Sequence, residues 1–216
     1  MYRKTRKLTT TGMFCALAYV LMVMGQVPIV LFLKYDPKDV IIAVGGLIFG
    51  PLISFTIAMI VAFAEMFTVS ESGIWGFLMN VISSCSFACT AAFIYKKRRR
   101  LSGAVAGLLC GWGCMAAVMM LWNSLIAPIY MGVPREAVVE LLLPAFLPFN
   151  LLKGGLNAAI TMLVYKPLVT VLRRSRLLQD ESASVVKPRT NIGIVMVSLL
   201  IISTCVLLIL SFNGLF

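Results

Sequence analysis

The 216-residue chain contains no histidine, and only 8 of its residues are acidic. Without histidine, Ser–His and Cys–His nucleophilic catalysis and the usual zinc arrangements are excluded. Charged residues make up 12% of the chain, about half the share of a soluble domain. No long polar stretch is left from which an extramembrane domain could be built. There is no G-x-x-x-x-G-K-[S/T] phosphate loop; Lys153-Gly154-Gly155 places its lysine before the glycines. The chain is therefore not expected to hydrolyse ATP itself. A membrane enzyme acting on lipid or prenyl phosphates would gather several charged groups at one face, whereas Glu65, Glu71, Arg135 and Glu136 are scattered. An ion-coupled secondary transporter would want a titratable pair deep in the bilayer. Here Glu65 is the one carboxylate well within an apolar stretch, near its end. No internal repeat is evident, which weighs against transporters built from two matched halves.

What the chain has in abundance is apolar length. Hydrophobic residues form 61% of it, in seven stretches: 9–29, 39–50, 52–69, 74–95, 102–129, 144–172 and 191–211. A spanning helix needs about 20 apolar residues to cross a hydrocarbon core of roughly 30 Å. The expected class is thus all-α, a polytopic integral membrane protein. Gly50-Pro51 splits one long apolar run, because proline lacks a donor and clashes with the preceding turn. The 39–50 piece is short for a full crossing and calls for tilting or for burial of its end within protein.

Charge sets the expected orientation. With the N-terminus in the cytoplasm, fifteen of the nineteen basic residues fall inside, including Arg3, Lys4, Arg6, Lys7, the run Lys96–Arg100 and Arg173, Arg174 and Arg176. Basic residues resist translocation, so the bias fixes the topology. The net charge of +11 then reads as attraction to anionic inner-leaflet lipids and not to nucleic acid, since the charges lie in short juxtamembrane clusters. The N-terminal apolar run is too long, and its end too poor in cleavage-site residues, for a removed signal peptide. The domain division is a six-span unit over 1–173, a cytoplasmic linker over 174–190 and an extra C-terminal span over 191–216.

Polar groups inside apolar spans are costly unless paired, so each one asks for a reason. Asn150, Lys153, Asn157 and Thr161 share one helical face by their i, i+3, i+7, i+11 spacing. Lys153 either snorkels to the interface, with the asparagines bonding neighbouring helices, or forms part of a binding face to which Gly154 and Gly155 admit a flat ligand. Gly76, Asn80, Ser83, Ser84 and Phe87 form a matching stripe, with Trp75 and Met79 near its outer end. Asn123 is flanked by Met119, Met120 and Trp122. Amides on three spans with aromatic and methionine neighbours suit a cavity for a planar, hydrogen-bonding small molecule. In the loop after the first span, Asp39 is a candidate helix cap. Tyr35 and Asp36 lie where a lid would close. Gly12 and Ala16 form a small-xxx-small pair, suited either to internal packing or to docking a partner helix. The six cysteines, two pairs of them at i,i+4, read as small packing residues ahead of a metal site.

Three segments carry a resemblance: Leu33-Lys34-Tyr35-Asp36, Gly76-Phe77-Leu78-Met79-Asn80 and Pro148-Phe149-Asn150-Leu151-Leu152-Lys153-Gly154. Together, over about residues 8–173, the chain resembles the riboflavin-binding S components of energy-coupling factor (ECF) vitamin transporters. The resemblance implies a six-helix bundle, here with one extra C-terminal transmembrane helix, in the bacterial plasma membrane. It implies ligand contacts at Asn123, Asn150, Lys153, Asn80, Met79, Tyr35 and Asp36, and docking through Gly12 and Ala16, where alanine is more usual than glycine at the first position. It implies partners: a transmembrane coupling protein and two ATP-binding-cassette ATPases. Riboflavin is then cargo, and no cofactor is expected. An S component for another vitamin, such as thiamine, folate or a biotin-like ligand, is the nearest alternative. Alanine in place of Asn150 is expected to weaken riboflavin binding.

Overall fold

The computed structural model describes residues 2–30, 33–69, 72–174 and 192–212. The linker expected at 174–190 therefore lies, apart from Arg174, outside the described residues, as do Glu71 and the last four residues. The first helix, α1 (Tyr2–Met24), starts earlier and stops sooner than the apolar run suggests. Gly25 ends it, with its N–H on the Leu21 carbonyl, and Pro28 lies just beyond. The residues that follow form a short antiparallel hairpin, β1 (Val27–Val30) and β2 (Leu33–Tyr35), paired Val27 to Tyr35 and Pro28 to Lys34. The sequence had suggested that the first span runs to residue 29 and is followed by a loop, so the strand at Val27–Val30 corrects the end of that span. Val27, Ile29 and Val30 are β-branched, and Pro28 is tolerated because a two-stranded ribbon consists of edge strands.

Next come α2 (Lys38–Phe49) and α3 (Pro51–Thr68), separated at Gly50. Gly50 has φ +102°, a conformation that favours glycine, and Pro51 opens the next helix at a position where its missing donor costs nothing. Twelve residues give α2 a length of about 18 Å, too short to cross hydrocarbon. It resolves the difficulty by burial, with every residue from Lys38 to Leu47 inside the protein.

The fourth span is a continuous rod made of α4 (Gly73–Ser84), a π-helical turn at Cys85–Cys89, and α5 (Thr90–Lys97). It is followed by α6 (Leu101–Leu125), two short helices, α7 (Ala127–Met131) and α8 (Arg135–Leu141), a second π turn at Leu142–Phe146, and α9 (Leu147–Arg174). The fifth span breaks at Ile126 and not near 129, just ahead of Pro128. The second π turn contains Pro144, and proline cannot supply a regular helical bond. The last helix, α10 (Ile192–Phe212), lies against α9 and the hairpin, with Cys205 beside Leu156, Phe149 and Ile29. Five of the described helical segments are long and apolar enough to cross a membrane.

The two larger of three apolar clusters among the described residues organise the bundle. The main one joins Phe14, Ile42, Val44, Ile57, Phe87 and Met115 from α1, α2, α3, the fourth span and α6. The second seats the hairpin, through Ile29 and Tyr35, on Phe149, Leu152 and Leu156 of α9. Glycines let α6 approach the fourth span closely. A methyl group on Gly107 would stand 2.6 Å from the Ala91 carbonyl oxygen, and one on Gly111 would collide with the Phe87 carbonyl. Gly107→Val therefore forces backbone apart and is expected to destabilise the bundle by at least about 2 kcal/mol, read as a lower thermal unfolding midpoint in detergent.

Candidate binding site

The rod formed by α4, the π turn and α5 has its basic run, Lys96–Arg100, at one end of the bundle. At the opposite end, where α3 finishes and α4 begins, lies a hollow of about 320 Å³. Asn80, Asn123 and Asn150 reach it from α4, α6 and α9, with Met79, Met119, Phe146 and Phe149 as apolar wall. Asp36 and Lys153 also line it, as do Lys34 of the hairpin and Glu65 of α3. Asn123 makes no side-chain hydrogen bond among the described residues, although it is buried. Asn150 spends one donor on the Phe146 carbonyl, 2.7 Å away, which ties α9 to the π turn before it.

Beneath the hollow is a buried polar cluster. Lys153 lies 3.6 Å from Asp36 and 3.5 Å from Asp39. Lys38 lies 2.5 Å from Glu65 and 3.7 Å from Asp36. Two ammonium groups thus face three carboxylates. Asp39 is fully buried and is also bonded by neutral donors: the Ser84 hydroxyl donates to Oδ1 at 2.5 Å and the Asn157 amide to Oδ2 at 3.3 Å. Tyr35 closes the chain by donating to Asn157 Oδ1 at 2.9 Å. Burial pushes the Tyr35 phenol up, reinforced by the charges of Asp36 and Asp39, so it remains a donor. Burial works against charge on Asp36, in the loop after β2, but Lys153 and Lys38 outweigh it and hold its carboxyl below the ordinary range. Asp36 Oδ1 is buried with no hydrogen-bond partner, while Asp36 as a residue lines the hollow.

These positions sort the residues singled out in the sequence. Asn80, Asn123, Asn150, Lys153, Met79 and Asp36 border the same hollow. Tyr35 does not, because its hydroxyl is committed to Asn157 and its ring to the cluster under the hairpin. Asp39 is not a cap, since α2 begins after Pro37 with no side-chain cap bond, and the carboxylate turns to the buried cluster. Lys153 does not snorkel; at 6% exposure it has two carboxylates for company. Gly154 and Gly155 do not open a path for a flat ligand, because the Trp112 ring occupies the space beside both. Gly12 and Ala16 lie on the exposed face of α1, so internal packing does not account for them. Missed altogether were Lys38, Phe146 and the part played by Glu65. The one available signal was a glutamate within an apolar helix and a lysine between two aspartates, both of which demand partners once buried.

A helical bundle with spans of membrane length and a ligand-sized hollow at one end, walled by amides and methionines, is the form of a membrane-embedded solute-binding protein. Comparison with known sequences narrows this. The family described as ECF transporter, substrate-specific component, matches residues 6–165, and the chain belongs to it. The chain is similar to the riboflavin transporter FmnP of Bacillus subtilis (strain 168), at 28% identity over 186 residues, covering 80% of this chain and 97% of that protein. It is also similar to the riboflavin transporter RibU of Staphylococcus aureus (strain TCH60), at 25% identity, covering 80% and 95%. Among solved structures, the S component of a bacterial ECF transporter superposes with a TM-score of 0.67 at 26% identity, covering 79% of this chain and 99% of that one.

Breaking a buried ion pair leaves one charge stranded, whereas replacing both partners with apolar groups does not. Lys38→Met is expected to cost about 3–5 kcal/mol, and Lys38→Met with Glu65→Leu to recover most of that loss, as read by thermal unfolding in detergent.

Proposed function

We propose that this chain captures riboflavin at the outer face of a bacterial plasma membrane and delivers it as the substrate-binding subunit of an ECF transporter. The observation that carries the reading is the convergence of three amide side chains, the Lys153 ammonium group and the Asp36 carboxylate on one hollow with methionine and phenylalanine walls. Its volume, about 320 Å³, falls at the lower end of the range of roughly 300–1,000 Å³ for small-molecule sites. The flat isoalloxazine rests against Met79, Met119, Phe146 and Phe149. Its pyrimidine edge alternates acceptor, donor and acceptor, and a side-chain amide offers both a donor and an acceptor, so Asn80, Asn123 and Asn150 can read it. The ribityl hydroxyls donate to the Asp36 carboxylate and accept from Lys153. The names of the two similar transporters support riboflavin over another vitamin.

Uptake in this reading needs partners. The exposed Gly12–Ala16 face of α1 lets a helix of a transmembrane coupling protein approach closely, and two ATP-binding-cassette ATPases supply the energy. The N-terminus is cytoplasmic, residues 1–173 form the capture unit, 174–190 a cytoplasmic linker and 191–216 an additional span. The chain makes and breaks no covalent bond, and riboflavin is cargo.

Purified protein is expected to quench riboflavin fluorescence on binding, and Asn150→Ala to weaken that binding by roughly 10- to 100-fold, the cost of one buried partner left unpaired. Equal binding by parent and variant, or no flavin binding by the parent, defeats the reading. Gly12→Leu is expected to leave binding intact but to reduce riboflavin uptake in cells that also carry the coupling protein and ATPases; unimpaired uptake removes the docking face from the account.

A further inference from the structure

Asp39 is wholly buried, does not line the hollow and yet is held by three side chains from two helices. Ser84, at the end of α4, holds Oδ1; Asn157 of α9 lies against Oδ2; and Lys153 of α9 stands 3.5 Å from Oδ2. Asn157 is in turn held by the hydroxyl of Tyr35, the last residue of β2. Lys153, by contrast, reaches the hollow, and its ammonium group is paired with Asp36 and Asp39 among the described residues. A lysine side chain is long and has several rotatable bonds, so its direction is set by whatever charge fixes its end. Of its two carboxylates, Asp36 lies on the loop beside the hairpin and is itself exposed to competition from Lys38 at 3.7 Å. Asp39 sits at the start of the buried α2 and is anchored by two neutral hydrogen bonds.

We infer that Asp39 is a positioning residue of the capture site, aiming the Lys153 ammonium into the hollow while Asn157 and Tyr35 tie the hairpin to the same anchor. The inference rests on the riboflavin reading. It adds that affinity depends on a residue that never meets the ligand, and that this dependence runs through Lys153. Asp39→Asn preserves shape and can still accept from Ser84, but it removes the charge that holds the ammonium group.

The test is riboflavin titration, by fluorescence quenching, of the parent, Asp39→Asn, Lys153→Met and the double variant, each checked by thermal unfolding without ligand. Asp39→Asn is expected to weaken binding roughly 10-fold or more alone, yet by less than about 3-fold when Lys153 is already methionine, the non-additivity of groups acting as one unit. A residue supporting the fold in general would lower affinity by the same factor in both backgrounds. Additive losses, or an Asp39→Asn affinity within about 2-fold of the parent, overturn the inference while leaving riboflavin capture standing. A parent that binds no riboflavin overturns both. If Asp39→Asn does not fold, Ser84→Ala takes its place in the same cycle, because it frees one carboxylate oxygen without removing the charge. It is expected to weaken binding roughly 3-fold or more only when Lys153 is present, and unchanged or additive behaviour counts against the inference in the same way.

Discussion

The structure depends on Lys153 standing between Asp36 and Asp39. An ammonium group or a carboxylate taken out of water alone would cost several kcal/mol, and neither helix α9 nor helix α2 could bury its charge without the other. Their attraction, completed by Ser84, Asn157 and the Lys38–Glu65 pair, joins α2, α3, the fourth span, α9 and the hairpin at one point. The apolar clusters bring the elements together, but they are non-directional. Charges and hydrogen bonds settle their register, since a slip of one residue would strand a buried ion.

The same cluster divides the end of the bundle into two layers with different tasks. The lower layer is closed: Asp39, Asn157 and Tyr35 satisfy one another. The upper layer is less complete: Asp36 Oδ1 has no hydrogen-bond partner, Asn123 makes no side-chain hydrogen bond among the described residues, and both residues line the hollow. Buried polar groups without partners are costly in a resting protein and discriminate strongly when a ligand supplies them. A substrate-specific component has to hold its solute selectively. A rigid lower layer supporting an unsatisfied upper layer meets that need, because little ordering is left to be done when the ligand arrives.

Much of the candidate site could be read from residue types alone. Asn80, Asn123 and Asn150 stood out because an amide in an apolar span must bond to something, and helical spacing put Asn150, Lys153 and Asn157 on one face. Their division of labour could not be read. Asn150 and Lys153 face the hollow, whereas Asn157, one turn further on, turns to Tyr35 and Asp39. Tyr35 resembled a ligand contact because it is a hydroxyl in a lid segment; its partner lies 122 positions away, and no local pattern reports such a contact. Asp39 matched a helix cap for the same reason. The glycines after Lys153 read as room for a ligand, but Trp112 of another helix fills the space.

Sequence alone determined the membrane class, the break at Gly50-Pro51 and the small set of polar residues that had to find partners. These follow from hydropathy, proline geometry and the cost of burying polarity, which act over a few residues and leave a local trace. Only the tertiary structure decided which partners they found: that Lys38 would choose Glu65, that Lys153 would lie between two aspartates, and that α2 would be buried from Lys38 to Leu47. Those outcomes depend on how helices distant in the chain lie against one another, and charge pairing at a few ångströms carries no signature in the order of the residues.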